Sequence, residues 1–195
     1  MNAQGEKIVV TGMGVIAPNG KTVTEFFDNI CNGVSGITKL DKFDPAPFKC
    51  QIAGQVRDFD PKSYYKSRKK IKQNDLYCHF AVAASHLAMA DAGIDLSIPG
   101  IDPTRVGVII GSAFGGMQSF ETAANELALY GPSSVGAYTI PMILGNTAAG
   151  IVAMETGAKA LINYTRYSNE LSTTTQILFI TPIIIHWCNI ITLLY

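Results

Sequence analysis

The sequence predicts an α/β protein built on a mainly parallel sheet, and three observations carry that expectation. RVGVIIGS at 105–112 is a continuous apolar run bounded by glycines, the pattern of a strand buried on both faces. Leu76, Phe80, Ala83, Leu87 and Ala90 recur at helical spacing, which marks one face of a helix over 75–91 stopped by Gly93. Strand-like and helix-like stretches then alternate along the chain, the order of a layered fold.

The elements follow in turn. KIVVT at 7–11 reads as a short strand, and GMGVIAPNG after it as a glycine-rich turn. A helix over 22–31 has Thr22 or Thr24 as its N-cap and Gly33 as its stop. Residues 36–61 read as loop, with Pro45, Pro47 and Pro61 and one short strand near 51–56. After the strand at 105–112, a helix over 117–129 is ended by Gly131 and Pro132. NTAAGIVAME at 146–155 is a second helix, whose small residues let neighbours pack closely. No internal repeat is visible.

A chain of 195 residues suits one domain or half of a larger α/β protein. Its 15 basic and 15 acidic residues cancel, so no global field points to nucleic acid or a membrane surface. Locally, Lys62, Lys66, Arg68, Lys69, Lys70 and Lys72 crowd into one short stretch. Such a run reads first as a solvated face, and functionally as a docking patch for an acidic partner. Tyr64 and Tyr65 raise nucleic acid as a reading, which the neutral chain does not support. Cys31, Cys50, Cys78 and Cys188 are scattered without a CxxC, which suits a reduced compartment, cytoplasmic or organellar (plastid or mitochondrion). MNAQGEKIVV has neither a basic n-region nor a long apolar h-region, so no secretory or transit segment is expected.

Several motifs invite chemistry and then withhold it. TGMGVIAPNG has the GxG of a dinucleotide loop, but Ala17 stands where the third glycine belongs and no acidic residue follows at the needed distance. GSAFGGMQ at 111–118 lacks the lysine of a phosphate loop; it reads as a turn lining a pocket with Phe114 pointing in, or as an aromatic in the core. His79 and His86 share a helix face seven residues apart without a third ligand, so no metal is expected. No GxSxG elbow supports serine catalysis.

The character of the chain changes near Ala160. Beyond Glu170 there is no charged residue, and fourteen of residues 176–195 are apolar or aromatic. Three readings of this stretch stand side by side. It has the length of a membrane anchor of about 20 residues, interrupted by Pro182 and His186. It reads equally as a buried strand pair, with β-branched Ile183 to Ile185 and Pro182 at the turn. The third reading is sequence from an intron or a shifted frame.

Five stretches acquire meaning together: VVTGMGVIAPNG, FDPAPFKCQIAGQV, YCHFAVAASHLAMADAGI, RVGVIIGSAFGGM and IPMILGNTAAGIVAMETGAK. In this order, over about residues 7–160, they resemble the N-terminal half of a β-ketoacyl-acyl-carrier-protein synthase, a chain-elongating condensing enzyme of the thiolase-like superfamily. The resemblance implies a layered αβαβα fold of two similar halves, usually dimeric. It implies the acyltransferase chemistry of fatty acid biosynthesis, a decarboxylative condensation of an acyl thioester with malonyl-acyl-carrier protein, without a cofactor. The family's nucleophile is a cysteine in a T-A-C-[AS] run at a strand-to-helix turn, where a helix N-terminus favours thiolate. Two histidines and a lysine from the second half assist it.

By position that cysteine belongs between Tyr164 and Thr175, where this chain reads TRYSNELSTTTQ; no cysteine occurs between Cys78 and Cys188. Cys188, in HWCN, lacks the family's flanks, so neither it nor His186 takes a catalytic role. Supporting positions do carry over. These are Phe114 at the acyl-channel turn, Asn146 and Gly150 in the helix before the nucleophile strand, and Arg68, Lys69 and Lys70 as a surface for acyl-carrier protein. The expectation is a partial synthase domain over 1–160 and a divergent hydrophobic tail over 161–195, inactive alone. A non-catalytic partner subunit that binds carrier protein and a membrane-attached fragment are the alternatives.

Overall fold

Two glycines decide how the first strand is built. The computed structural model describes residues 9–160 and the strand segments 162–165, 176–183 and 188–194. Strand β1, Val10–Ile16, runs straight through TGMGVI. Residues 7–8 of the expected strand lie outside the described residues. The expected turn is confined to residues 17–20, where Ala17 and Gly20 exchange backbone hydrogen bonds; Gly12 to Ile16, read as part of it, are strand. The reason is a helix, α3, Leu76–Asp91, laid against the strand. A Cβ on Gly12 would stand 2.4 Å from the Ala88 carbonyl oxygen, and one on Gly14 2.2 Å from that of Ala84. The GxG therefore marks close strand-to-helix approach rather than a turn.

Helix α1, Val23–Cys31, begins where its cap predicts. Thr22 Oγ1 accepts from the Glu25 amide at 3.1 Å, and Glu25 reaches back to accept from the Lys21 amide at 2.8 Å. The loop that follows holds a two-stranded antiparallel ribbon of β2, Ile37–Lys39, and β3, Ile52–Gly54. A 3-10 turn at Pro61–Tyr64 and a one-turn helix α2, Arg68–Ile71, carry the basic run to α3.

Helix α3 is the centre of the fold, packed against β1 and against α6, Thr147–Thr156. A single apolar face describes it too narrowly. Cys78 and Ser85, off that face, are wholly buried, whereas Ala90, on it, is exposed. A helix made largely of alanine and other small residues can be enclosed on all sides.

Strand β4, Val106–Gly111, has parallel partners on both sides, β5, Ile162–Thr165, and β6, Gln176–Ile183. Gly107 to Ile110 are accordingly buried. Helix α4, Met117–Tyr130, ends at Gly131 as expected, and a short helix α5, Thr139–Ile143, which no periodicity announces, precedes α6. With the last strand, β7, at Cys188–Leu194, the sheet order is β1-β7-β6-β4-β5. Strand β7 runs antiparallel to both β6 and β1, so the other four strands point one way. Of the three readings of the tail, these segments take the form of the strand pair. Pro182 nevertheless lies inside β6 opposite Asn189, not at a turn. Among the described residues no helix is long and apolar enough to cross a membrane.

Candidate functional site

The turn from β4 into α4 is shaped by what its glycines allow. Gly115 has a φ of +73°, and a Cβ on Gly116 would lie 2.0 Å from the Met142 carbonyl oxygen of α5. The Gly116 amide instead donates to the Ile143 carbonyl at 3.1 Å, and the Gly115 amide to Ser112 Oγ at 3.0 Å. Phe114, on this turn, is 75 % exposed.

Beside the turn lies an open groove of about 540 Å³ between the start of α3, α4 and α5. Asn74, Asp75, His79, Ser119, Glu126 and Met142 contribute to its lining, and Phe114 does not. Lys42 from the ribbon loop donates to Gln118 at 3.1 Å along its wall. Asp75 organises the floor. Its Oδ1 accepts from the Tyr77 amide at 3.3 Å and so caps α3. Its Oδ2 accepts from the Ser119 amide at 2.9 Å and from Ser119 Oγ at 2.6 Å. Helix α4 begins on Gly116, which has no side chain to cap with, so one carboxylate serves two helix starts.

The titratable groups behind the groove are governed by burial. His79 Nδ1 lies 2.9 Å from the Tyr65 hydroxyl; burial holds the imidazole below its ordinary pKa and pushes the phenol up. Cys78 is wholly enclosed, and burial pushes its thiol up to about 12. It is a thiol at neutral pH and a poor nucleophile. His86 Nε2 is buried without a hydrogen-bond partner among the described residues. Among those residues no group of three His, Cys, Asp or Glu side chains could hold a metal ion.

The basic run is arranged by a residue the sequence reading missed. Glu155 of α6, with a side chain 0 % exposed, accepts from Lys70 Nζ at 2.8 Å and from the Lys66 amide at 2.9 Å. Asn74 Nδ2 donates to the Lys70 carbonyl at 2.7 Å. Of the three expected docking cations, Lys70 is thus engaged inward while Arg68 and Lys69 are exposed. The available signal was a lone acid in the small, apolar TAAGIVAMET, since a buried charge needs a partner. Asn146 occupies the N-cap position of α6 without a side-chain cap bond. Beyond its chain neighbours and its own helix backbone, no described atom lies within 4 Å of where a Cβ on Gly150 would stand. The expected position of a nucleophile after β5 falls largely at 166–175, outside the described residues.

Residues 5–165 match the family described as "Beta-ketoacyl synthase, N-terminal domain". The chain belongs to the β-ketoacyl synthase family. A curated β-ketoacyl synthase relative, 3-oxoacyl-[acyl-carrier-protein] synthase 2 of Synechocystis, is 37% identical over 164 residues. That alignment takes in 84% of this chain and 39% of the relative, so the chain spans about two fifths of that protein's length. Among solved structures, the ishigamide ketosynthase/chain length factor superposes with a TM-score of 0.71 at 24% identity, covering 80% of this chain and 39% of that one. The type II polyketide ketosynthase AntDE, solved in complex with its acyl-carrier protein AntF, gives 0.66 at 23% identity, with 83% and 41% covered. At such identities the likeness shows the fold, which is the thiolase-like α/β architecture of ketosynthases, of which this β-ketoacyl synthase chain corresponds to a part.

Proposed function

We propose that this chain supplies the amino-terminal scaffold of a 3-oxoacyl-acyl-carrier-protein synthase and does not carry out the condensation by itself. One observation carries the reading: the family match closes at residue 165 within β5, and the stretch where the nucleophile belongs contains no cysteine. The nearest cysteine of the matched part is Cys78, whose enclosed thiol cannot serve as an acyl acceptor at neutral pH. Arg68 and Lys69 would receive an acidic acyl-carrier protein, in keeping with the relative solved with one bound. Phe114 would meet the acyl chain where further chain closes over its turn, with Asn146 and Gly150 supporting from α6. The exposed apolar residues of α4 would meet a second subunit. Free Cys31, Cys50 and Cys78 fit a reduced compartment.

The test is a condensation assay on the purified 195-residue chain with acyl- and malonyl-acyl-carrier protein. No carbon dioxide, no 3-oxoacyl product and no acyl adduct in the intact mass are expected. A covalent acyl group on Cys78 or Cys188 together with product formation would overturn the reading. A second reading, a non-catalytic subunit that binds carrier protein, is favoured by the ordered presentation of Arg68 and Lys69 on the two bonds to Glu155.

A further inference from the structure

Glu155 breaks two local rules at once. Its carboxylate is removed from water, and it stands in the last turn of α6, where the helix dipole disfavours negative charge. Lys70 offsets this, yet an apolar pair of similar size would be at least as stable in most such sites. The arrangement therefore calls for a reason other than stability. Its geometry offers one. The two carboxylate oxygens grip opposite ends of a single turn: Oε2 accepts from the Lys66 amide and Oε1 from Lys70 Nζ, at 2.9 and 2.8 Å. Between these grips lie Arg68 and Lys69, both exposed, on the four-residue helix α2. A helix of that length has no stability of its own. Asn74, itself buried, holds the Lys70 carbonyl from the other side.

We propose that Glu155 is a positioning residue: it fixes the turn that presents Arg68 and Lys69 to an acidic carrier protein. The proposal rests on the reading that these two cations dock such a protein. It separates cleanly from simple charge attraction, because Glu155 is negative. Removing it makes the strip more basic by one charge, so attraction alone predicts tighter binding. Positioning predicts weaker binding.

The experiment measures the affinity of holo-acyl-carrier protein for the full chain at low and at physiological ionic strength, well below the melting midpoint. Arg68→Glu with Lys69→Glu tests the docking reading and is expected to weaken binding about tenfold or more. Glu155→Gln is expected to weaken it roughly three- to tenfold despite the gain in positive charge. Lys70→Arg, which keeps the pair, is expected to bind as the parent does. If Glu155→Gln fails to fold, Glu155→Met with Lys70→Met removes both charges and leaves the net charge unchanged, and the same weakening is expected. Unchanged or tighter binding by whichever of these two variants folds overturns the positioning role while leaving the docking reading intact. Unchanged binding by the charge-reversed pair removes the docking reading, and the proposal with it.

Discussion

Along α3, Cys78, His79 and His86 occupy positions where enclosure outweighs the neighbouring charges of Asp75, Glu155 and Lys66 in setting the direction of the pKa. For the two histidines this gives stability a pH dependence of definite sign. Burial holds both below the ordinary value of 6.5 in the folded chain, whereas the unfolded chain titrates near it. As pH falls through about 6.5, the unfolded state takes up protons the folded state refuses, so stability present above that pH is lost below it. The slope is up to about 1.4 kcal/mol per pH unit for each histidine. Thermal midpoints recorded from pH 8 to pH 5 should be level at first and then fall, and His79→Gln should flatten the decline. A midpoint that rises on acidification contradicts the assignment. At this scale Thr22 was legible in advance because a cap and its helix are neighbours in sequence. Glu155 was not, because its partner Lys70 lies 85 residues away.

Among the elements, β1 and α3 show how one sequence signal supports two structures. A glycine pair after an apolar stretch suits a turn, and equally suits a strand that another backbone must approach closely. Only the helix in place decides between them. The consequence is testable with two alanines. At Gly14 a Cβ would meet the Ala84 carbonyl oxygen at 2.2 Å and the Ala88 amide at 2.6 Å, both backbone atoms with no freedom to move aside. Gly14→Ala should cost about 3 kcal/mol, a fall in Tm of about 6–12 °C. Gly150→Ala, placed in a helix where a Cβ meets nothing beyond the helix's own backbone and its chain neighbours, should instead raise stability by about 0.5–1 kcal/mol. Differential scanning calorimetry on the two variants checks both signs, and a tolerated Gly14→Ala would refute the close-approach account. The helices over 23–31, 76–91 and 117–130 were legible from a cap, a periodicity or a glycine stop, and that over 147–156 from its run of small residues. Helix α5 was not, being only five residues long and placed by contact with the glycines of the preceding turn.

For the molecule as a whole, the family was legible because five collinear stretches agree, while the surface was not. Helix α4 has no buried residue, and Phe120, Leu127, Leu129 and Tyr130 stand exposed along it, with Ile140 and Leu144 exposed on and beside α5. An apolar surface of this kind calls for a cover. Sedimentation velocity should show concentration-dependent self-association of the chain, and Leu129→Lys with Tyr130→Glu should shift it toward monomer. A concentration-independent monomer would speak against an interface on this face. The helix over 117–129 was legible with its stop at Gly131 and Pro132, but not that none of its residues would be buried. Asp75 has a consequence for anyone who would recombine this chain with its relatives. A chimera that sets residues 117–130 against anything but a carboxylate at position 75 leaves that helix's first turn without its acceptor. One that brings in 75–91 with another residue type at 75 strips the same acceptor from a helix it never touched. The two segments are a single unit of inheritance, joined by one side chain rather than by sequence.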